Sequence, residues 1–457
     1  MPEPKPVEIA LLGAGTRGEL NLGTIAKRYP GEMRFVAVAE PDEERRERFI
    51  ADYGVPRENA FADWADLVAR PQLAAGLINA LPCHLHYRST LAALEAGYDV
   101  LLEKPMAHSP GECIHLAQAA EQRGRLLMVS LQCRYNRIYS AVARLLEEGR
   151  IGPLMNIDCG ENIGYWHFIM SYVRGVHSYS PTSHSFMLAK GIHDTDLITW
   201  FAGARAARVS AFGCLSFFRP ENAPPGAPER CTEDCPVRDA CVFDAIKQYA
   251  KPGRPEIPST LFSGMSLGAV VDYLRYPRFR TLASCITRDI REPSVMKALR
   301  EGPYGRCVFH AGNDVVDHET VNIEYENGVT ASFSLSAFSL AWERSLNLHG
   351  AQGEIRSQDF SGRLELRTYH PASVRKKRIR YHGIIHGGGD IVLLLEFAKA
   401  VRRGQSGEVL TSARNALEGH LIGLAAEESR RSNTTVDMAA YRAQAEKEAA
   451  VLAEGAS

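Results

Sequence analysis

Short apolar runs alternate with helix-like stretches along the first 130 residues, at 7–12, 35–39, 76–80, 98–102 and 126–130. Runs that are apolar at every position predict strands buried on both faces, and their alternation with helices predicts a doubly wound parallel sheet. After about residue 131 the pattern changes. Residues 321–326 (VNIEYE), 329–336 (VTASFSLS) and 345–350 (SLNLHG) alternate apolar with polar, predicting antiparallel strands with one solvated or helix-covered face. Helical periodicity returns over 391–402 and 412–431, and the Ala/Glu-rich tail 437–457 reads as a surface helix that frays. The expectation is an α/β protein with two domains, a doubly wound parallel sheet over 1–130 and an α+β domain over 131–457, without internal repeats.

The first strand runs into Gly13-Ala-Gly15-Thr16-Arg17-Gly18. Gly-x-Gly-x-x-Gly between a strand and a helix is a pyrophosphate cradle: a tight turn, a close backbone approach, and a helix N-terminus with free N–H groups. The second strand ends at Glu40, where such folds place the carboxylate that binds the adenosine ribose. The acidic stretch Asp42-Glu43-Glu44 would repel a 2′-phosphate, and Arg45 and Arg46 arrive only on the following helix. NAD is therefore favoured over NADP. A role for Glu40 as a mere helix cap is the alternative.

Length and composition suit a soluble enzyme of two domains. The chain has 457 residues, a formal charge of −1, no basic cluster that suggests nucleic acid and no apolar run that suggests a membrane span. The start Met-Pro-Glu-Pro-Lys-Pro is not a signal peptide, so the cytoplasm is expected. Ten cysteines are too dilute for a disulfide scaffold. Three of them, Cys231, Cys235 and Cys241, follow a Pro/Gly-rich loop over 219–230, with Cys214 a fourth candidate, in an insertion around 214–260. A structural zinc or iron–sulfur site, a disulfide and free thiols are all open for this cluster.

Glu103-Lys104-Pro105 closes the fourth strand of the parallel sheet, at the carboxyl edge where open α/β sheets bind ligands. Lys104 there could orient a hydroxyl or act as a base if burial or cationic neighbours lower its pKa. His193 and Asp196 lie three residues apart on one helix, placing an imidazole beside a carboxylate.

With these motifs in order, the chain resembles the Gfo/Idh/MocA oxidoreductases. The resemblance is carried by the glycine fingerprint, by Leu81-Pro82-Cys83-His84-Leu85-His86, by Glu103-Lys104-Pro105, by Arg134-Tyr135-Asn136 and by Gly191-Ile192-His193-Asp194-Thr195-Asp196. It implies a Rossmann domain, a second domain on a large open, mostly antiparallel sheet, bound NAD(P), a carbohydrate substrate and a homo-oligomer, dimer or tetramer. By resemblance Gly13, Gly15, Thr16, Arg17, Gly18, Glu40, Pro82, His86, Glu103 and Lys104 contact the cofactor, and Lys104 and His193 are catalytic. Many members carry an aspartate four residues before the catalytic histidine; here that position is Ala189. Lys190, or the cluster Tyr165-Trp166-His167, is the candidate to replace it.

Residues 302–318 read as a functional loop in which Arg306 could clamp an acidic substrate group, while His310, Asp314, Asp317 and His318 could act as acid/base groups or hold a divalent metal. His386-Gly-Gly-Gly-Asp390 could return to the same cleft. Arg134, Tyr165, His167, Lys190, Asp196, Arg306, His310 and Asp314 are the substrate-binding candidates, with Arg174 and His184 weaker ones. The activity expected is hydride transfer between nicotinamide and a hydroxyl carbon of a sugar, cyclitol or sugar derivative. A redox-neutral glycoside hydrolase that oxidises C3 transiently, without net NADH, is the alternative, and a non-catalytic NAD-binding regulator is a third.

Overall fold

The computed structural model describes residues 5–250, 282–359, 361–380, 385–404 and 409–455; the end of the Cys-containing insertion, 251–260, and the side chain of His386 lie outside the described residues. The described residues form two sheets. The first is parallel, with strands β1 (Val7–Leu12), β2 (Met33–Ala39), β3 (Ala60–Phe61), β4 (Gly76–Asn79), β5 (Asp99–Leu102) and β6 (Leu127–Val129) in the order 3-2-1-4-5-6. This doubly wound order places the crevice for ligands at the carboxyl ends of β1 and β4, where the winding reverses. Both faces are covered, which is why these strands are continuously apolar. The helix Pro110–Gln122 and its neighbours pack on one side, and the helix Gly389–Arg403, from late in the chain, packs on the other. Phe397 of that late helix comes so close to β4 that a Cβ at Gly76 would lie 3.2 Å from its ring and 2.8 Å from Ile9.

The second sheet contains β7 (Leu154–Gly164), β8 (Ala206–Cys214), β9 (His318–Tyr325), β10 (Thr330–Ser339), β11 (Glu343–Gly350), β12 (Gly353–Gln358), β13 (Arg363–Thr368), β14 (Ser373–Arg378) and β15 (Val436–Asp437), in the order 14-13-12-11-7-10-9-8-15. It is antiparallel except where β10 runs parallel to β7. The alternation read from the sequence places Val321, Ile323, Phe333, Leu335, Leu346 and Leu348 in the core, under the helices Ile192–Ala202 and Ala413–Ser432, while Thr320, Asn322 and Ser332 stand on the open face.

One expectation is corrected here. The tail helix Met438–Gly455 does not fray: Ala445 and Ala449 are buried, and the Glu448 carboxylate accepts from the Ser109 hydroxyl (2.6 Å) and the Gly111 N–H (3.2 Å) at the start of the helix Pro110–Gln122. An acid at that positive helix end is stabilising.

Candidate functional site

At the end of β1 the chain turns through Gly13 at φ +86°, a conformation that favours glycine, with the Ala80 carbonyl 2.7 Å from where a Cβ would sit. A Cβ on Gly18 would strike the Gly13 carbonyl, whereas one on Gly15 would meet nothing within 4 Å. That open space beside a bare backbone is what a pyrophosphate needs. Thr16, exposed, begins a helix whose first turns, Thr16–Gly23, are wide π-type turns. Glu40 is buried at the end of β2. Its carboxylate accepts from the Ala14 N–H (2.8 Å) and the Asp42 N–H (3.1 Å), and Arg45 lies 3.0 Å away. The following helix is capped by Asp42 and not by Glu40. Arg46 also folds back, donating to the Glu40 carbonyl (2.6 Å).

Arg17 bridges Glu103 and Asp390 at 2.5 Å each, tying the glycine turn to the end of β5 and to the helix Gly389–Arg403. The two carboxylates hold its pKa above the ordinary value despite burial. Next in the chain, Lys104 precedes Pro105 across a cis peptide, and its ammonium donates to the Ala189 carbonyl at 2.5 Å. Burial, aided by the cations Lys190 and Arg17 and opposed by Glu103, brings the Lys104 pKa down to about 8. The Ala189 carbonyl belongs to the turn Met187–Gly191, which leads directly into the helix bearing the buried His193. Lys104 and the helix of His193 are thus joined through one hydrogen bond.

Around this point the second sheet supplies a buried ionic network. Lys190 pairs with Glu161 of β7 (3.1 Å) and sits 5.1 Å from the centre of the Trp342 ring. Glu161 also meets Arg344 (2.9 Å), which binds Asp194 (2.5 Å) and Asp359 (3.4 Å). Burial raises the Asp194 pKa against the pull of Arg344. His167 packs against Trp342 and Trp166, with Tyr165 on the same short turn facing Phe243, so an aromatic wall stands beside Lys190. Glu161, Trp342 and Arg344 were not singled out from the sequence. Glu161 and Arg344 carried a signal, each being a charge at a buried position of a strand, whereas Trp342 lies in a loop with none.

Several candidates are committed elsewhere. Arg134 and Asp196 form a buried bidentate pair (2.8 and 2.7 Å), and Arg134 further donates to the carbonyls of Leu410 and Asn415. Both oxygens of Asp196 are thus engaged by Arg134. His86 is 1 % exposed, with both ring nitrogens against carbonyls, of Pro105 (2.7 Å) and Leu81 (2.9 Å); it braces the turn behind the site, while Pro82 is exposed at that turn's start. Burial lowers its pKa, as it does for the stacked pair His108 and His184, and brings that of His177 down to about 4.

In the 302–318 segment, expected to be a functional loop, two acids are tied to neighbouring groups. Asp314 holds Ser180 through its N–H (2.8 Å) and hydroxyl (2.7 Å), and Asp317 accepts from Ser216, Phe217 and His318. Arg306 is exposed with its guanidinium near the Ala311 carbonyl (3.5 Å), and His310 follows it half-buried. Arg174 is buried and spans the Arg306 carbonyl, the Phe243 carbonyl and the Cys231 sulfur. Of the readings open for the cysteine cluster, zinc finds no support. Among the described residues no group of three His, Cys, Asp or Glu side chains could hold a metal, and Cys231, Cys235 and Cys241 are free thiols. Cys231 packs instead in a small apolar cluster with Ala245, Tyr249 and Leu299. No helix among the described residues is long and apolar enough to cross a membrane.

A parallel 3-2-1-4-5-6 sheet with this glycine turn, and a lysine at its carboxyl edge, defines a nucleotide-binding oxidoreductase domain. Residues 7–131 match the GFO_IDH_MocA family, described as an oxidoreductase family with an NAD-binding Rossmann fold. The match covers the parallel-sheet domain, which is similar to the NAD-binding domain of that oxidoreductase family. YteT of Bacillus subtilis is 22 % identical over 327 residues, 68 % of each chain. Inositol 2-dehydrogenase 1 of Saccharopolyspora erythraea is 27 % identical over 206 residues, 45 % of this chain and 57 % of that one. The match thus spans little more than half the length of the inositol dehydrogenase. A levoglucosan dehydrogenase solved with NADH and levoglucosan shares the fold, at a TM-score of 0.65 and 17 % identity over 95 % of this chain and all of the other.

Proposed function

We propose that this protein is an NAD-dependent dehydrogenase that oxidises a secondary hydroxyl of a sugar, cyclitol or sugar derivative. The observation that carries the reading is Lys104: an amine at the carboxyl edge of the parallel sheet, brought down by burial to about 8 and aimed by the Ala189 carbonyl. The glycine turn and the buried Glu40 fit a dinucleotide, which when bound supplies the hydride acceptor. Glu40 favours NAD, because its charge would oppose a 2′-phosphate. The neutral Lys104 amine takes the hydroxyl proton, and His193, at the start of the adjoining helix, positions that hydroxyl. The ionic network beneath keeps this helix fixed against β7.

The redox-neutral hydrolase keeps the nonstandard position Ala189 on its side, whereas Asp314 and Asp317 are already bound to backbone and serine groups. A regulator without chemistry would have no need of a buried amine near neutrality. The test is purified protein with NAD and a panel of free sugars, cyclitols and nitrophenyl glycosides, following NADH and released nitrophenol together. NADH accumulating without nitrophenol is the expected result; nitrophenol without NADH would replace the dehydrogenase by the hydrolase. Lys104→Met should lower kcat by about 10²–10⁴ while calorimetry shows NAD still bound.

A further inference from the structure

Ala189 and Lys190 lie directly beside Lys104, whose ammonium binds the Ala189 carbonyl. At residue 189 there is no carboxylate, and the backbone carbonyl is used by Lys104. One residue on, Lys190 brings a second ammonium near enough to depress Lys104. The anions that meet these cations lie beneath them: Glu103 is 7 % and Glu161 2 % exposed, whereas the Lys190 side chain keeps 15 % of its surface. The Trp342 ring stands 5.1 Å from the ammonium, with His167 packed on it at a 57° tilt. Arg306, the other cation that could have bound an acid, is exposed on a separate loop whose Asp314 pins Ser180.

We propose that Lys190 is a specificity-determining residue that binds the carboxylate of a sugar acid, so that the preferred substrates are monoanionic carbohydrates, with the sugar ring against Trp342. The inference rests on the dehydrogenase reading for its placement of the reacting hydroxyl at Lys104. A carboxylate fits better than a phosphate. Glu161 divides its charge between Lys190 and Arg344, which leaves part of a single Lys190 charge for a further anion. A neutral sugar at this place would leave Lys190 without its second partner, and buried cations bind best where each charge is answered.

The test compares galacturonate, galactose and galactose 6-phosphate by calorimetry on the NAD-loaded protein, with NADH formation followed in parallel. Galacturonate should bind about ten- to a hundredfold more tightly than galactose, the range of a charge-assisted hydrogen bond. Lys190→Met should close that gap and Lys190→Arg should keep most of it. Equal affinity for the acid and the neutral sugar, a gap that survives in Lys190→Met, or a phosphate sugar binding more tightly than the uronate would each overturn the proposal. Binding and turnover are read separately. The acid preference can therefore fail while NADH still forms, or hold while no NADH appears, in which case only the dehydrogenase reading falls.

Discussion

In the proposed reaction Lys104 gives the chemistry a pH signature. The amine must be neutral to accept a proton, and in the folded protein it becomes so around pH 8. Initial rates of oxidation, as kcat/KM, should therefore rise tenfold per pH unit below about 8 and level above it. A flat profile between pH 6 and 9 would remove Lys104 from that role. Glu319 titrates for a different reason. It occupies a core-facing position of β9, both its oxygens lack a hydrogen-bond partner, and burial next to Glu427, with Arg430 only partly opposing, raises its pKa to about 8. Folded Glu319 keeps its proton up to about pH 8, whereas the unfolded carboxyl loses it near 4.5. Its contribution is thus fully present below about 4.5 and drains away as pH rises towards 8. Urea titrations of Glu319→Gln should show a shallower loss of stability across that window. Asp196 behaves as a partner and not as a shuttle. Asp196→Ala leaves the Arg134 guanidinium buried without its carboxylate, and should cost about 3–5 kcal/mol in chemical unfolding.

At the scale of elements, the strands were readable because burial imprints a period. Strands β1, β2, β4, β5 and β6 coincide with the apolar runs to within about two residues, and β9 to β11 overlap the alternating ones, β9 starting and β10 ending about three residues further out. The two-residue β3 escaped because it is too short to carry any period. The site was legible where it depends on backbone geometry or on a strand end, as at Gly13 and Lys104. It was not legible where it depends on which charges pair in space. Neither the Arg134–Asp196 pair, 62 residues apart, nor the Arg17–Asp390 pair, 373 apart, leaves a local pattern. The tail helix was misread for a related reason. Its small Ala/Glu composition resembles a solvated helix, yet small residues are what let Ala445 and Ala449 approach the helix Pro110–Gln122 closely. Truncation after Asp437 should lower the melting temperature by several degrees in differential scanning fluorimetry, and Glu448→Ala by a smaller amount.

Across the whole molecule the two sheets are stitched by chain ends as much as by neighbours in sequence. Arg344, Asp194, Glu161 and Asp359 form one network on three strands or strand ends and one helix, and Arg17, Glu103 and Asp390 form another between the glycine turn, β5 and the late helix. Each network ties a part of the site to residues far along the chain, so the reacting groups are positioned by the complete fold. The first sheet illustrates what that entails for synthesis. Leu393, Leu394 and Phe397 cover the face formed by Ile9, Phe35 and Met128. Phe49 and Tyr53 already pack on Phe35, but while the protein is still emerging from the ribosome the part of that face under the late helix waits more than two hundred residues of translation for its cover. The nascent chain must pass through an interval in which its nucleotide-binding half is present but incompletely shielded, and in which a holdase chaperone has an apolar surface to grip.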